Sequence, residues 1–206
     1  MERSAFLEGF SVVNPLKPRP GDALETLSTP VPVVDEDVMA GNIARVQAYM
    51  DRHKLAFRPH IKTHKVVAVA DAQRAAGARG INCQKITEAE IFTEAGFDDI
   101  LITYNILGPG KIARLSALNQ RLPTLKVTAD SAVTVDGLAQ AFSGGKPLTV
   151  LVECDTGGGR CGVQTPSDAL ALARRITRAD GLIFGGLMTY PRPNSAEAIE
   201  SWFSEA

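Results

Sequence analysis

Lys62 sits in the run Arg58-Pro59-His60-Ile61-Lys62-Thr63-His64-Lys65, which gathers three cationic side chains and two imidazoles into eight residues. It follows the apolar stretch Leu55-Ala56-Phe57, so it reads as the polar end of a strand. An amine crowded by positive charge and partly desolvated gives up its proton more readily and then attacks a carbonyl carbon, which is the chemistry of a Schiff-base lysine. Lys65 is the chief rival for that role. Its position at the start of a following helix points it toward solvent, whereas Lys62 lies closer to the strand end. His60 and His64 flank the amine. Imidazole titrates near neutral pH, so either ring serves as a proton relay or as a hydrogen-bonding support, and the sequence leaves both roles open.

The second run with chemical content is Glu153-Cys154-Asp155-Thr156-Gly157-Gly158-Gly159-Arg160-Cys161-Gly162-Val163. Its glycines permit left-handed backbone and let amide N–H groups approach an anion closely. The Gly-x-x-x-x-Gly-Lys-Ser/Thr phosphate loop is absent, so Arg160 stands out as a forked donor on a tight turn, suited to a phenolate, carboxylate or phosphate oxygen. Glu153 and Asp155 form a tempting acid pair, of which one is expected inward and one outward. Asp155 reads as the organiser of the turn rather than as a base.

These residues must be held by something. Residues 1–28 lack periodicity and read as an extended N-terminal arm; residues 29–206 read as a barrel domain, partial in this chain. Val31–Val34 is a short strand, and Asp35 caps a helix with apolar residues at Val38, Ile43, Val46 and Met50. Leu55–His60 is the next strand, followed by a helix over Val66–Gly77. Strands then recur at Gly80–Cys83, Asp99–Thr103, Leu125–Thr128, Leu148–Glu153 and Leu182–Met188, with helices opening near Thr87, Lys111, Ser131, Ser167 and Ala196. Strands and helices alternating in this way mean βαβ units and a parallel sheet. No strand leads into a Gly-x-Gly-x-x-Gly turn, which favours a TIM-type barrel over a dinucleotide-binding sheet. In such a barrel the site is built at the strand ends, where this sequence places Lys62, Gln84, Thr103 with Asn105, Asp130, Asp155 with Arg160, and Thr189 with Tyr190. A closed barrel takes about 250 residues, so the (β/α)8 barrel is expected to be incomplete within 206 residues.

Composition narrows the alternatives. The formal net charge of −1, with acids and bases interspersed, leaves no footprint for nucleic acid or an anionic membrane surface, so the basic run at 58–65 is local. No apolar run reaches the length of a membrane span, and Met1–Phe6 lacks the order of a secretory signal, which makes the cytoplasm the expected location. Cys83, Cys154 and Cys161 match no zinc or disulfide spacing and read as reduced, packed thiols.

Four segments in order carry a family resemblance: Pro59–Lys65, Cys83-Gln84-Lys85-Ile86-Thr87-Glu88-Ala89-Glu90, Asp98–Thr103, and Asp155–Val163. Together they resemble the D-threonine aldolase / D-serine dehydratase group, fold-type III pyridoxal 5'-phosphate enzymes whose barrel is similar to the alanine racemase N-terminal domain. The likeness runs from about Thr29 to Tyr190. It implies that Lys62 forms the Schiff base with the cofactor, flanked by His60 and His64. Arg160 then reaches the cofactor ring oxygen or the substrate carboxylate, and Gln84, Thr103 and Tyr190 line the pocket. The implied activity is that of a lyase cleaving D-β-hydroxy amino acids to glycine and an aldehyde. A D-serine dehydratase-like deamination and a non-catalytic cofactor carrier on the same barrel are the alternatives. The substrate is a small D-amino acid, and the implied assembly is a homodimer. Where the aldolases carry Gly-Tyr-x-Gly-His, this chain has Met188-Thr189-Tyr190-Pro191-Arg192-Pro193, keeping the tyrosine without the histidine. The family's C-terminal β-domain, with its metal-binding His-x-Asp or His-x-Cys pair, is not recognisable here. The divalent metal is therefore expected only in full-length relatives, no residue is assigned to it, and the chain alone is expected to be poorly active or inactive.

Overall fold

The structure, a computed structural model, describes residues 18–205. The expected signal-free terminus and most of the expected arm, residues 1–17, lie outside the described residues. The remainder falls into two compact units, one ending at Met39 and the other beginning at Ala40. In the first, a single 3-10 turn covers Leu24–Thr26, and extended chain leads to Asp35. Asp35 caps helix α1 (Glu36–Arg52) as expected: its Oδ1 accepts the Val38 N–H at 2.9 Å.

The second unit repeats strand and helix. After α1 come α2 (Val67–Ala75), β1 (Ile81–Cys83), α3 (Ile86–Glu94), β2 (Asp99–Ile102), α4 (Pro109–Arg121), β3 (Thr124–Ala129), α5 (Ala132–Phe142), β4 (Leu148–Cys154), α6 (Pro166–Arg178), β5 (Leu182–Thr189) and α7 (Ala196–Glu205). The five strands form one sheet in the order β1-β2-β3-β4-β5, every neighbouring pair parallel. This is the incomplete barrel that the sequence predicts, present as an open parallel sheet with helices packed on one face. Among the described residues no helix is long and apolar enough to cross a membrane.

Two expected strands do not form. Val31–Val34 is extended but has no ladder partner among the described residues, and Pro30 and Pro32 lack the N–H that a ladder needs. Leu55–His60 makes a single bridge, His60 to Asn82. It is held beside β1 by Arg79 N–H to Phe57 O (2.9 Å), Asn82 N–H to Pro59 O (2.8 Å) and Ile61 N–H to Asn82 O (3.0 Å). Pro59 again removes a donor, and the contact stays a bridge.

Strand alternation separates packing from chemistry. Ile81, Cys83, Ile100, Ile102, Leu125, Val127, Leu148, Val150 and Val152 are at most 3% exposed and pack under the helices. The alternate positions, among them Asn82, Leu101, Lys126, Thr128 and Glu153, share the opposite face. In β5 a bulge shifts the register opposite Val150–Val152, so that Met188 pairs with Glu153 and Thr189 with Cys154. At Gly80 a side chain would have no room: a β-carbon there would lie 2.1 Å from Arg58 Nη1 and 2.5 Å from Asp99 O. That vacancy lets the Arg58 guanidinium cross to β2.

Candidate active site

The three cations of the 58–65 run have different fates. Arg58 donates through Nη2 to Asp99 Oδ2 (2.6 Å) and through Nη1 to Asp99 O (3.0 Å), and Lys126 Nζ reaches Asp99 Oδ1 at 3.1 Å. Burial opposes ionisation of Asp99, but its hydrogen bonds to Arg58 and Lys126 outweigh it and hold the carboxyl below its usual range. Lys65 is ion-paired to Glu88, a buried carboxylate in the first turn of α3. Lys62 has no carboxylate partner among the described residues, and it lines a cavity of about 170 Å³ at the C-terminal ends of the strands. It is the sole lysine in that lining among the described residues.

His60 faces the same cavity, with both ring nitrogens engaged. Nδ1 accepts the Lys62 backbone N–H at 3.2 Å. Nε2 lies 3.1 Å from Thr103 Oγ1, which donates onward to Cys83 O at 3.3 Å. A neutral ring protonated on Nε2 satisfies this chain, since Nδ1 must accept. Burial first, then the charges of Lys62 and Lys65 against the opposing Glu88, push its pKa down to about 4. His64 lies outside the cavity lining: Nδ1 accepts the Val66 N–H at 3.0 Å, and Nε2 is buried without a partner among the described residues. Burial lowers its pKa too.

Three amides of the glycine-rich turn are taken by a carboxylate of the chain itself. Asp155 Oδ1 accepts the N–H groups of Gly158 (2.5 Å) and Gly159 (3.0 Å), and Oδ2 accepts that of Arg160 (3.1 Å). Burial opposes ionisation of Asp155, and these amides outweigh it, so its carboxyl sits below the ordinary value. Gly157 and Gly159 at φ 95 and 64 let the turn close around the carboxylate. An internal anion therefore fills the nest, and what the turn presents outward is the Arg160 side chain. Its Cζ lies 5.0 Å from the Tyr190 ring centroid, and Lys62 Nζ lies 5.4 Å from the same centroid. The aromatic face thus has both cations beside it.

Glu153 and Asp155 are both buried, contrary to the expected split of one inward and one outward. Asp155 lies past the end of β4 and turns into the glycine loop, while Glu153 lines the cavity, its sole carboxylate. Burial and the Asp130 charge raise the Glu153 pKa, against Thr128 and Arg160; Thr128 Oγ1 donates to Oε2 at 3.4 Å.

Six of the seven candidate side chains, His60, Lys62, Gln84, Thr103, Arg160 and Tyr190, line this one cavity, and His64 does not. Sequence reading assigns no site role to Asn82, Leu101, Tyr104, Cys161 or Met188 and weighs Glu153 only as half of an acid pair, yet all of them also line it. For Asn82, Leu101 and Met188 the usable signal is the alternation of strand positions, since they stand two residues before Gln84, Thr103 and Tyr190. Cys83 and Cys154 are packed thiols, their pKa values pushed up by burial to about 12 and about 11. Cys161 is less buried and reaches the cavity.

Comparison with known proteins adds independent support for the fold. The family model described as alanine racemase, N-terminal domain, matches residues 34–200. A D-threonine aldolase from Arthrobacter sp. is 42% identical over 84% of this chain and 45% of its own length. A D-threo-3-hydroxyaspartate dehydratase from Delftia sp. is 42% identical over 82% of this chain and 45% of its own. The crystal structure of a D-threonine aldolase from Filomicrobium marinum superposes with a TM-score of 0.75 at 35% identity, covering 80% of this chain and 44% of that one. The chain thus spans about half the length of the curated relatives it matches.

Proposed function

Because the chain belongs to the alanine racemase N-terminal domain family, whose fold type implies pyridoxal phosphate, we propose that its cavity is the cofactor site of a lyase acting on D-configured β-hydroxy amino acids. The observation that carries this reading is the isolation of Lys62: the other two cations of its run are each paired with a carboxylate, and Lys62 alone faces the cavity. The residues present fit the group. A lysine and an arginine, neither with a carboxylate partner among the described residues, suit its aldehyde and an anionic oxygen respectively. Asn82 lines the cavity with a buried Oδ1 that has no hydrogen-bond partner among the described residues. No described residue is assigned to the phosphate, since the glycine-turn amides already bind Asp155.

When bound, the cofactor supplies a conjugated ring that accepts the electron pair released as a bond at Cα breaks. The chain's own residues bind and orient. Lys62 holds the aldehyde carbon. His60, neutral and doubly engaged, fixes the Lys62 backbone and the Thr103 hydroxyl, which supports orientation rather than proton relay as its role. Arg160 takes the substrate carboxylate or the ring oxygen, beside the Tyr190 face. Gln84 and Thr103 line the same cavity. Glycine and an aldehyde are the products on the aldolase reading. A dehydration is the second reading, favoured by the Delftia dehydratase being as similar as the Arthrobacter aldolase. Product analysis with D-threonine and D-threo-3-hydroxyaspartate separates them: glycine plus aldehyde against ammonia plus an oxo acid. Added manganese tests the metal, for which no group of three or more candidate ligands occurs among the described residues. A homodimer and a cytoplasmic location belong to the same reading, and sedimentation tests the first.

The decisive experiment is cofactor loading. Lys62→Ala is expected to abolish the absorbance near the visible edge and the borohydride-trapped label, while Lys65→Ala keeps both. The reverse pattern defeats the assignment. Normal loading without turnover of either substrate favours the non-catalytic carrier.

A further inference from the structure

Glu88 is 5% exposed, and none of the chemistry above uses it. A carboxylate so buried is costly unless its oxygens are matched, and here they are matched by two groups of the site's own frame. Oε2 accepts the backbone N–H of Gln84 at 2.8 Å, at the end of β1, where the Gln84 side chain lines the cavity. Oε1 takes the ammonium of Lys65. Lys65 closes the turn that carries Lys62: its N–H donates to Ile61 O at 2.7 Å, and its φ of 54 is a conformation that a β-carbon disfavours. A single carboxylate therefore ties the Lys62 turn to the adjoining wall and occupies the second amine of the run.

We propose that Glu88 is a positioning residue that fixes the Lys62 turn against the end of β1 and holds the Lys65 ammonium away from the cavity, leaving Lys62 as the single amine there. The part concerning the cofactor rests on the proposed function; the sorting of the two amines does not. Glu88→Gln is the informative change, because the amide oxygen still accepts the Gln84 N–H while the ion pair to Lys65 is lost. A residue that served packing alone would leave the relative reactivity of the two lysines where it is.

Two readouts decide it on the full chain. Limiting acetylation without cofactor, mapped by peptide mass spectrometry, is expected to show Lys65 reacting about threefold faster in E88Q than in the parent, the effect of losing one ion pair whose lysine side is 55% exposed. Borohydride trapping with pyridoxal phosphate is expected to move from Lys62 alone to both lysines, and E88Q/K65M is expected to return the label to Lys62. Should E88Q lack a cooperative melt, E88D, which withdraws the carboxylate by one methylene, is expected to show the same rise at Lys65. An unchanged Lys65 acetylation rate in a folded variant overturns the proposal. Absence of trapped label from both lysines of the parent chain sinks the cofactor reading instead, and the acetylation result still decides the role of Glu88.

Discussion

Protonating His60 is a perturbation whose cost follows from the geometry. The ring accepts the Lys62 N–H on Nδ1, so a proton placed there removes an acceptor and sets two donors face to face. Burial penalises the charged ring first, and the charges of Lys62 and Lys65 add to that, which is why the pKa sits at about 4 against an ordinary 6.5. Because the folded value lies below the unfolded one, the contribution of the neutral ring is complete above pH 6.5 and is lost as pH falls towards 4. That interval corresponds to roughly 3 kcal/mol in full, and partial solvent access reduces it to about 2 kcal/mol. The assay is urea unfolding between pH 7 and 4.5, the parent chain compared with His60→Asn. Asparagine keeps an accepting oxygen near the Nδ1 position but does not titrate, so carboxylate contributions common to both proteins cancel. The parent is expected to lose about 2 kcal/mol more than the variant. The His60 proton resonances, followed by NMR, are expected to move only well below pH 6. A His60 titration at or above 6.5, or matching pH profiles for the two proteins, refutes the neutral-ring account.

Asp99→Asn leaves Arg58 and Lys126 without their shared carboxylate. It is expected to destabilise the chain by roughly 3 kcal/mol in urea unfolding, with part recovered in D99N/K126M; a loss below the error of the method contradicts the argument. Asp155→Ala removes the acceptor for three backbone N–H groups of the glycine turn. A stability loss of about 2 kcal/mol is expected, together with weaker cofactor retention measured by dialysis, and Asp155→Asn is expected to lose less of both. Gly80→Ala forces a β-carbon against the Asp99 carbonyl. A lowered melting temperature is expected, and an unchanged one would mean that the Arg58 crossing is not needed.

The repeat from β1 to α7 is legible in the sequence because the strands are short apolar runs followed by polar residues and several helices carry a recognisable cap or stop. Ser131 caps α5 by accepting the Thr134 N–H, Thr165 caps α6 by accepting that of Asp168, and Gly77 and Gly96 follow α2 and α3 at positive φ. The convergence of Lys62, Gln84, Thr103, Arg160 and Tyr190 is legible for the same reason, since parallel strands bring their ends to one side. Long-range pairing is not. Nothing near Arg58 announces Asp99, 41 residues on, and nothing near Lys65 announces Glu88, 23 residues on. Val31–Val34 and Leu55–His60 have strand-like composition, but a ladder needs N–H donors that Pro32 and Pro59 lack. His64 resembles His60 in its neighbours and differs in the direction its ring takes, which the turn at 61–65 sets.

The period of two along the strands also makes stability and chemistry separable in this chain. Ile100 and Ile102 lie under helices at 0% exposure, while Leu101 between them lines the cavity. Asn82 stands between buried Ile81 and Cys83 in the same way. Truncating Ile102 to alanine removes core volume and is expected to cost about 2–5 kcal/mol, with the cavity groups left in register on whatever fraction stays folded. Truncating Asn82 removes one side-chain bond to Arg58 O and the orphaned Oδ1, a change of about 1 kcal/mol in stability but a direct change in the lining beside His60. The charge triad of Arg58, Asp99 and Lys126 crosses that division: it lies on the cavity's own face of the sheet and yet ties the 55–60 segment to β2 and β3. The segment leading to Lys62, joined to β1 by a single bridge, is therefore also held by ion pairs, with Asp99 at one end and Glu88 at the other. Its geometry should respond to salt and pH in ways that the hydrogen-bonded strands do not.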